Sequence, residues 1–290
     1  MMLYTDDAIR VGRAIAHSIV PYSSFTAVVR QICNAVELGN GTTIFAGVRV
    51  AAPSGTGKTL LIKYLKDNLV RSPIFNSELS VIQASLKENP TVSQVQNELL
   101  ANFNYGLDGA SRRANNNEIN LILVKAIEQH RVRLIALDEF QHVFLTGGTK
   151  VATTVIDWLK RLMNLTGVPV ILLGTEMMDR LDSVDPQLTS RIPTVVKLSP
   201  FLLNTEWVGF LQALSESISA IDLSSIHRDF AADLFRATKG SPRPLKAILT
   251  QAAMVAVSQG LSTVTKEVLA EAYRLQYGPS SDGGNPFAFP

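Results

Sequence analysis

Five short apolar runs, separated by stretches of helical periodicity, constrain this chain more than any other feature. "VRVAA" (Val48 to Ala52), "SVIQASL" (Ser80 to Leu86), "VRLIAL" (Val132 to Leu137), "VPVILLGT" (Val168 to Thr175) and "TVVKL" (Thr194 to Leu198) read as strands. The segments between them, Thr59 to Asn68, Thr91 to Phe103, Glu118 to His130 and Thr153 to Leu165, read as helices. A strand that is apolar on both faces needs cover on both faces, and a helix between consecutive strands lets each run return parallel to the last. The pattern predicts an α/β core of about five parallel strands between helices.

After Ser199 the strand signals stop, and four helical segments follow: "NTEWVGFLQALSESI", "HRDFAADLFRATKG", "SPRPLKAILTQAAMVAVSQG" and "TKEVLAEAYRLQYG". The third places Ser241 at the N-cap, Pro242 at the first helical position and Gly260 just past the end. Its apolar face, Leu245, Ile248, Leu249, Ala252, Ala253 and Ala256, is a packing surface for a small all-helical domain. The chain thus divides into an N-terminal helical segment (1–40), the α/β core (41–199), a helical lid (200–278) and a flexible tail (279–290). The tail is rich in Gly, Pro and Ser, although Phe287 and Phe289 are unusual in a solvated end.

Composition excludes several classes. No apolar run approaches the roughly 18 residues of a membrane span, and the N-terminus carries acidic residues where a secretory leader is basic and then apolar, so a cytoplasmic protein without a membrane partner is expected. Cys33 is the sole cysteine, which rules out an internal disulfide or a cysteine-cluster metal site. With 27 basic and 25 acidic residues, any nucleic-acid partner must be bound through a local patch.

The chemistry starts at "APSGTGKTLL". A glycine loop running into a helix N-terminus presents inward backbone N–H groups to an anion, and a lysine there adds a mobile positive charge. The stretch matches the phosphate-binding pattern G-x-x-x-x-G-K-[ST], except that Ala52 stands at the leading glycine. Ser54, Gly55, Thr56, Gly57, Lys58, Thr59 and Leu60 are the candidate nucleotide-binding residues, with Lys58 reaching the β- and γ-phosphates of ATP and the Thr59 hydroxyl ligating Mg²⁺. "LIAL" then leads into Asp138 and Glu139, placing two carboxylates at the carboxyl end of a buried strand, where open sheets bind ligands. Asp138 is the second candidate Mg²⁺ residue, acting directly or through water, and Glu139 is the candidate to polarise the attacking water. Thr175, ending the next strand, could donate to that water or to the γ-phosphate. Arg243, in the first turn of a late helix, opposes the helix dipole unless an anion is near, and could reach the γ-phosphate.

The ordered set "APSGTGKT", "LIALDEFQHV", "LLGTE", "DPQLTSRIPTVVKL" and "GSPRPLKAIL" resembles an AAA+ ATPase, and within that class the TniB and TnsC transposition regulators, with MuB a more distant functional relative. The similarity spans roughly residues 15–277. It implies an arginine finger, Arg191, reaching a neighbouring subunit's nucleotide, and an adenine-lining segment at Ile19, Val20 and Pro21, for which plain core contact is the alternative. Gln141 and His142 follow the acidic pair in the TniB manner, His142 in a structural role.

The resemblance also implies that subunits assemble as rings or helical filaments around double-stranded DNA without reading its sequence. Lys87, Thr91, Ser111, Arg112 and Arg113 fall at the pore-facing positions, and a filament would multiply weak phosphate contacts per subunit. The implied function is an ATP-dependent target-DNA selector that recruits a transposase, has a TniQ-like adaptor as a further partner, and leaves DNA on hydrolysis. Two alternatives stand beside it: a signalling or loader-type AAA+ ATPase that switches a protein partner without coating DNA, and a nucleotide-locked structural module with negligible turnover.

Overall fold

All five expected strands form: β1 (Val48–Ala51), β2 (Val81–Ser85), β3 (Leu134–Asp138), β4 (Val170–Gly174) and β5 (Thr194–Lys197). They make one parallel sheet in the order β2-β3-β4-β1-β5. The computed structural model describes residues 4–39, 42, 44–69, 78–104, 116–145, 149–278, 280 and 284–288. Two compact units account for the fold, one made of residues 24–54 and 58–198, the other of 1–23, 55–57 and 199–290.

In the first unit β1, β3 and β4 are buried along their whole length, as near-continuous apolar strands in the middle of a parallel sheet must be. At the edge, β5 alternates half-buried with exposed positions. Helices α3 (Lys58–Leu69), α4 (Val92–Ala101), α5 (Asn116–Gln129) and α7 (Thr149–Thr166) occupy the expected intervals, while α2 (Ser23–Gly39) precedes β1 and the short α6 (His142–Leu145) follows β3. Buried Trp158 of α7 donates its indole N–H to Asn120 Oδ1 of α5 at 2.9 Å, so the polar atoms of both stay satisfied inside the core. Arg49 of β1 breaks the apolar rule: it is only 6% exposed, and its guanidinium pairs with Asp182 Oδ1 at 3.0 Å. Asp182 lies on the short helix α8 (Leu181–Val184), and α9 (Pro186–Arg191) leads from there into β5.

The strand order is what assembles a site. Because β4 lies between β3 and β1, the carboxyl ends of all three stand side by side, and the residues just past them converge.

The second unit is helical. It comprises α1 (Asp6–His17), α10 (Thr205–Glu216), α11 (Ser225–Arg228), α12 (Ala231–Thr238), α13 (Pro242–Ser258) and α14 (Lys266–Tyr277). The predicted face of α13, from Leu245 to Ala256, is buried. Trp207 is fully buried and donates its indole N–H to Ala231 O at 2.8 Å, while Tyr22, Phe201 and Phe210 pack their rings beside it. The tail, read as flexible from its composition, docks in part on this unit. Phe287 is 0% exposed and meets the Tyr273 ring edge-on, and Asn285 Nδ2 donates to Ala270 O at 2.9 Å. Burial of one large aromatic side chain, about 2–3 kcal/mol, outweighs the bias of the surrounding Gly and Ser.

Among the described residues no helix is long and apolar enough to cross a membrane.

Candidate functional site

The glycine loop leaves β1 without breaking the sheet. Ala52 still donates its N–H to Gly174 O at 2.9 Å and is fully buried, so the position where the phosphate pattern has glycine is here a last ladder residue. The glycines the loop requires are those further on: Gly55 and Gly57 adopt φ of +86° and +106°, open to glycine and strained for any other residue. Lys58 begins α3. It is 8% exposed, its ammonium donating to Ala52 O at 3.2 Å and lying 3.5 Å from Glu139 Oε1. A buried ammonium whose nearest charge is a half-exposed carboxylate is well placed to exchange that partner for an incoming phosphate. Thr59 is exposed in the first turn of α3, and Thr56 is buried in the loop.

The acidic pair is turned in two directions by one kink. Phe140 is fully buried and its N–H donates to Leu173 O at 2.9 Å, pulling the chain back toward β4. Glu139 between them takes φ +54°, a left-handed conformation that costs a non-glycine residue about 1–2 kcal/mol. Asp138 stays at the strand end, 7% exposed, accepting the Glu139 N–H at 2.8 Å. Burial raises its carboxyl above the ordinary carboxylate value. The bond from Glu139 N–H opposes this shift, the Glu139 charge adds to it, and Lys58 opposes it again. A desolvated carboxylate of this kind gains from a cation. Thr175, after β4, has a buried hydroxyl with no hydrogen-bond partner among the described residues.

These side chains of the core unit therefore come together as expected: Lys58, Asp138, Glu139 and Thr175 all follow carboxyl ends of β1, β3 and β4. Among the described residues no group of three or more His, Cys, Asp or Glu side chains is placed to hold a metal ion. One carboxylate, Asp138, with the Thr59 hydroxyl fits Mg²⁺, which takes few protein ligands and completes its shell with water and phosphate. Gln141, 3% exposed, belongs to the same group of side chains; the sequence points to it only as the second residue after the acidic pair.

Arg191 is at the other end of the sheet. Its carbonyl accepts the Gly47 N–H at 3.1 Å, just before β1, and Gly47 to Ala52 is roughly 16 Å of strand. Its guanidinium lies 5.1 Å from the Phe45 ring centroid, donates from Nη1 to Gln187 O at 3.0 Å and from Nε to Asn164 Oδ1 at 3.4 Å. Arg191 thus cannot touch a ligand held by Lys58 of its own chain.

Within the helical unit, the Arg243 backbone N–H and the Ser241 hydroxyl both donate to Gly55 O, at 3.1 and 3.2 Å. The Arg243 side chain is exposed. Residues 18–22 form an extended connection in which Ile19 is half-buried, Pro21 exposed, and Val20 packs on the helical core.

The candidate DNA contacts fare unevenly. Lys87 is exposed past β2. Thr91 caps α4: its hydroxyl accepts the Gln94 N–H at 3.3 Å while Gln94 Oε1 accepts the Thr91 N–H at 2.8 Å, a reciprocal cap that accounts for this residue on structural grounds alone. Ser111, Arg112 and Arg113 lie outside the described residues.

A glycine loop closing on Lys-Thr after β1, an acidic pair after β3 and a polar residue after β4, on a sheet of this order in a chain that also carries a helical unit, define the AAA+ class of P-loop ATPases. The chain belongs to the TniB family, whose model, described as bacterial TniB protein, matches residues 10–201. No curated protein sequence matches it. Solved structures share the fold at low identity. Aeropyrum pernix ORC2 in ADPNP–ADP complexes is 17% identical over 91% of this chain and 71% of that one, with a TM-score of 0.67. Aeropyrum pernix ORC1 in complex with DNA is 16% identical over 91% and 69%, at 0.69. Drosophila ORC bound to DNA is 14% identical over 97% and 70%, at 0.61.

Proposed function

We propose that this protein is an ATP-hydrolysing regulator of DNA transposition, assembling on duplex target DNA as a ring or helical filament, recruiting the transposase, and leaving DNA when ATP is hydrolysed. The observation that carries the reading is the separation of Lys58 and Arg191 to opposite ends of the sheet, which fits an Arg191 that serves the Lys58 site of a neighbouring copy and not its own. Membership of the TniB family supports the transposition role, and the DNA-bound state of the archaeal ORC1 and Drosophila ORC neighbours supports a nucleic-acid partner.

In this reading Lys58 leaves Glu139 and binds the β- and γ-phosphates, and the Glu139 carboxylate, freed of its ion pair, orients the attacking water and takes its proton. Thr175 donates its unpartnered hydroxyl to the γ-phosphate or the water. Arg191 of the neighbour stabilises charge on the transferring group, and Arg243 is the candidate for a further contact to the γ-phosphate. Asp138 and Thr59 would hold Mg²⁺, which when bound supplies neutralisation of the phosphate charge. Ile19, Val20 and Pro21 line the adenine, and Lys87, Thr91 and the 111–113 segment face DNA phosphates. The transposase and a TniQ-like adaptor are the protein partners.

The test is retention of the intact chain on random-sequence duplex DNA with a slowly hydrolysed ATP analogue, followed by electron microscopy. Rings or helices on the DNA that require the analogue, and retention that weakens as salt rises, are expected. Nucleotide-driven self-association without DNA retention would instead assign the chain to the AAA+ switches that act on a protein partner.

A further inference from the structure

Gln141 is not among the candidate phosphate or metal ligands, yet both ends of its carboxamide are committed. Its Nε2 donates to Glu139 Oε2, and its Oε1 accepts the Thr175 backbone N–H at 3.2 Å. The orientation is forced, because a flipped amide would set N–H against N–H and carbonyl against carboxylate. The backbone holds it too, since Gln141 O accepts from the N–H groups of Phe144 and Leu145 at 3.1 and 3.0 Å. Room for the side chain comes from Gly174, where a Cβ would stand 2.7 Å from Gln141 Oε1 and 2.6 Å from the Met178 Cγ and Sδ.

Two groups therefore share the Glu139 carboxylate: Lys58 on Oε1 and Gln141 on Oε2. A triphosphate that draws Lys58 away leaves Gln141 as the remaining one of these two restraints. The same amide is anchored to the residue whose hydroxyl is buried without a partner, so movement of Thr175 toward a ligand pulls on Glu139 through Gln141. We propose that Gln141 is a positioning residue that sets the direction of the Glu139 carboxylate and couples it to the state of the β4 terminus at Thr175. The proposal rests on the hydrolytic reading of Glu139.

Two substitutions separate the two bonds. Gln141→Glu keeps an acceptor for the Thr175 N–H but replaces the donor to Glu139 with a second carboxylate. Gln141→Met keeps the volume and removes both. Turnover would be measured on the intact chain with Mg²⁺-ATP and duplex DNA, and affinity with a fluorescent ATP analogue. Both variants should lose about tenfold or more in kcat, Gln141→Glu the more, since a lost hydrogen bond to a charged group is of that size. Nucleotide affinity should stay within about threefold, because phosphate binding does not use this amide. In single-turnover assays, Gln141→Met added to Glu139→Gln should cost less than about twofold further, as expected of a residue acting through Glu139. Wild-type kcat in Gln141→Glu, a parallel fall of affinity and kcat, or a full second loss in the double variant would overturn the proposal. If the unaltered chain does not turn over ATP, or Glu139→Gln does so at the full rate, the hydrolytic reading itself fails and takes this role with it.

Discussion

The two ends of the sheet are built on opposite plans. At the carboxyl end, Lys58, Asp138, Gln141 and the Thr175 hydroxyl are buried polar groups held by a backbone in left-handed turns at Gly55, Gly57 and Glu139. At the amino end, the Arg191 guanidinium rests on an aromatic ring, next to the exposed apolar side chains of Ile44 and Phe45. One end stores polar groups short of a countercharge, and the other presents a cation on a partly apolar surface. In the proposed function a phosphate would satisfy the first, and burial of the second against a neighbouring copy would place its cation within reach of that phosphate.

Removing that cation tests most directly whether the two ends meet between copies. Arg191→Ala should lower ATP turnover on the order of a thousandfold while leaving nucleotide binding by the isolated chain intact. Mixing it with Lys58→Ala is the sharper measurement. Each variant should be nearly inactive, and the mixture should regain activity at junctions pairing an intact Lys58 site with an intact Arg191. Failure of any mixture to recover activity would mean that the two ends do not meet between copies.

At the carboxyl end, Glu139→Gln should slow hydrolysis by about a hundredfold or more and prolong DNA-bound assemblies, because proton transfer to a positioned carboxylate contributes at least that much. Loss of nucleotide affinity instead of turnover would reassign Glu139 to holding Lys58 in place.

Much of this was legible in the sequence, for identifiable reasons. Strands β1 to β5 and the interleaved helices were readable because buried parallel strands and amphipathic helices leave different periods in the apolar residues. Lys58, Thr59, Asp138 and Glu139 were readable because backbone phosphate binding needs glycine at fixed spacing, and carboxylates are rare directly after a run such as "LIAL". Arg49 was hidden, since a charged residue in "VRVAA" gives no sign that it will be buried against Asp182, far along the chain. Gln141 was hidden as a positioning candidate because its importance lies in contacts to Glu139 and, across the sheet, to Thr175. Phe287 shows the converse: composition described the tail, whereas one aromatic side chain decided where part of it sits.

The amino end has a pH-sensitive support of its own. Asp185 caps α9, the helix that ends in Arg191, accepting the Leu188 N–H at 2.7 Å and pairing with Lys160 at 3.0 Å. Burial pushes the Asp185 carboxyl up, but the Leu188 N–H and Lys160 together outweigh it and hold the group below the usual carboxylate range. A carboxyl depressed by folding contributes stability that is present above its unfolded value, about 3.9, and is lost as the pH falls through the lower folded value. Asp185→Asn should therefore flatten the acid limb of stability in urea melts below about pH 4. Asp185→Ala should cost about 1–2 kcal/mol at neutral pH through the lost cap. An unchanged acid limb in the Asn variant would show that the Asp185 charge, on Lys160 and the cap together, contributes nothing to stability.

The smallest effect belongs to Phe45. A guanidinium over an exposed ring is held by about 0.5–1 kcal/mol, so Phe45→Ala should weaken assembly-dependent turnover by no more than about fivefold. Phe45→Leu, which keeps apolar contact but loses the ring, divides that effect. If Leu restores full turnover, Phe45 serves as apolar surface for the neighbouring copy. If Leu behaves as Ala does, the ring face is what aims Arg191. A loss as large as that of Arg191→Ala in either variant would mean that the cation cannot be presented without the ring, and the amino end would then be as pre-ordered as the carboxyl end.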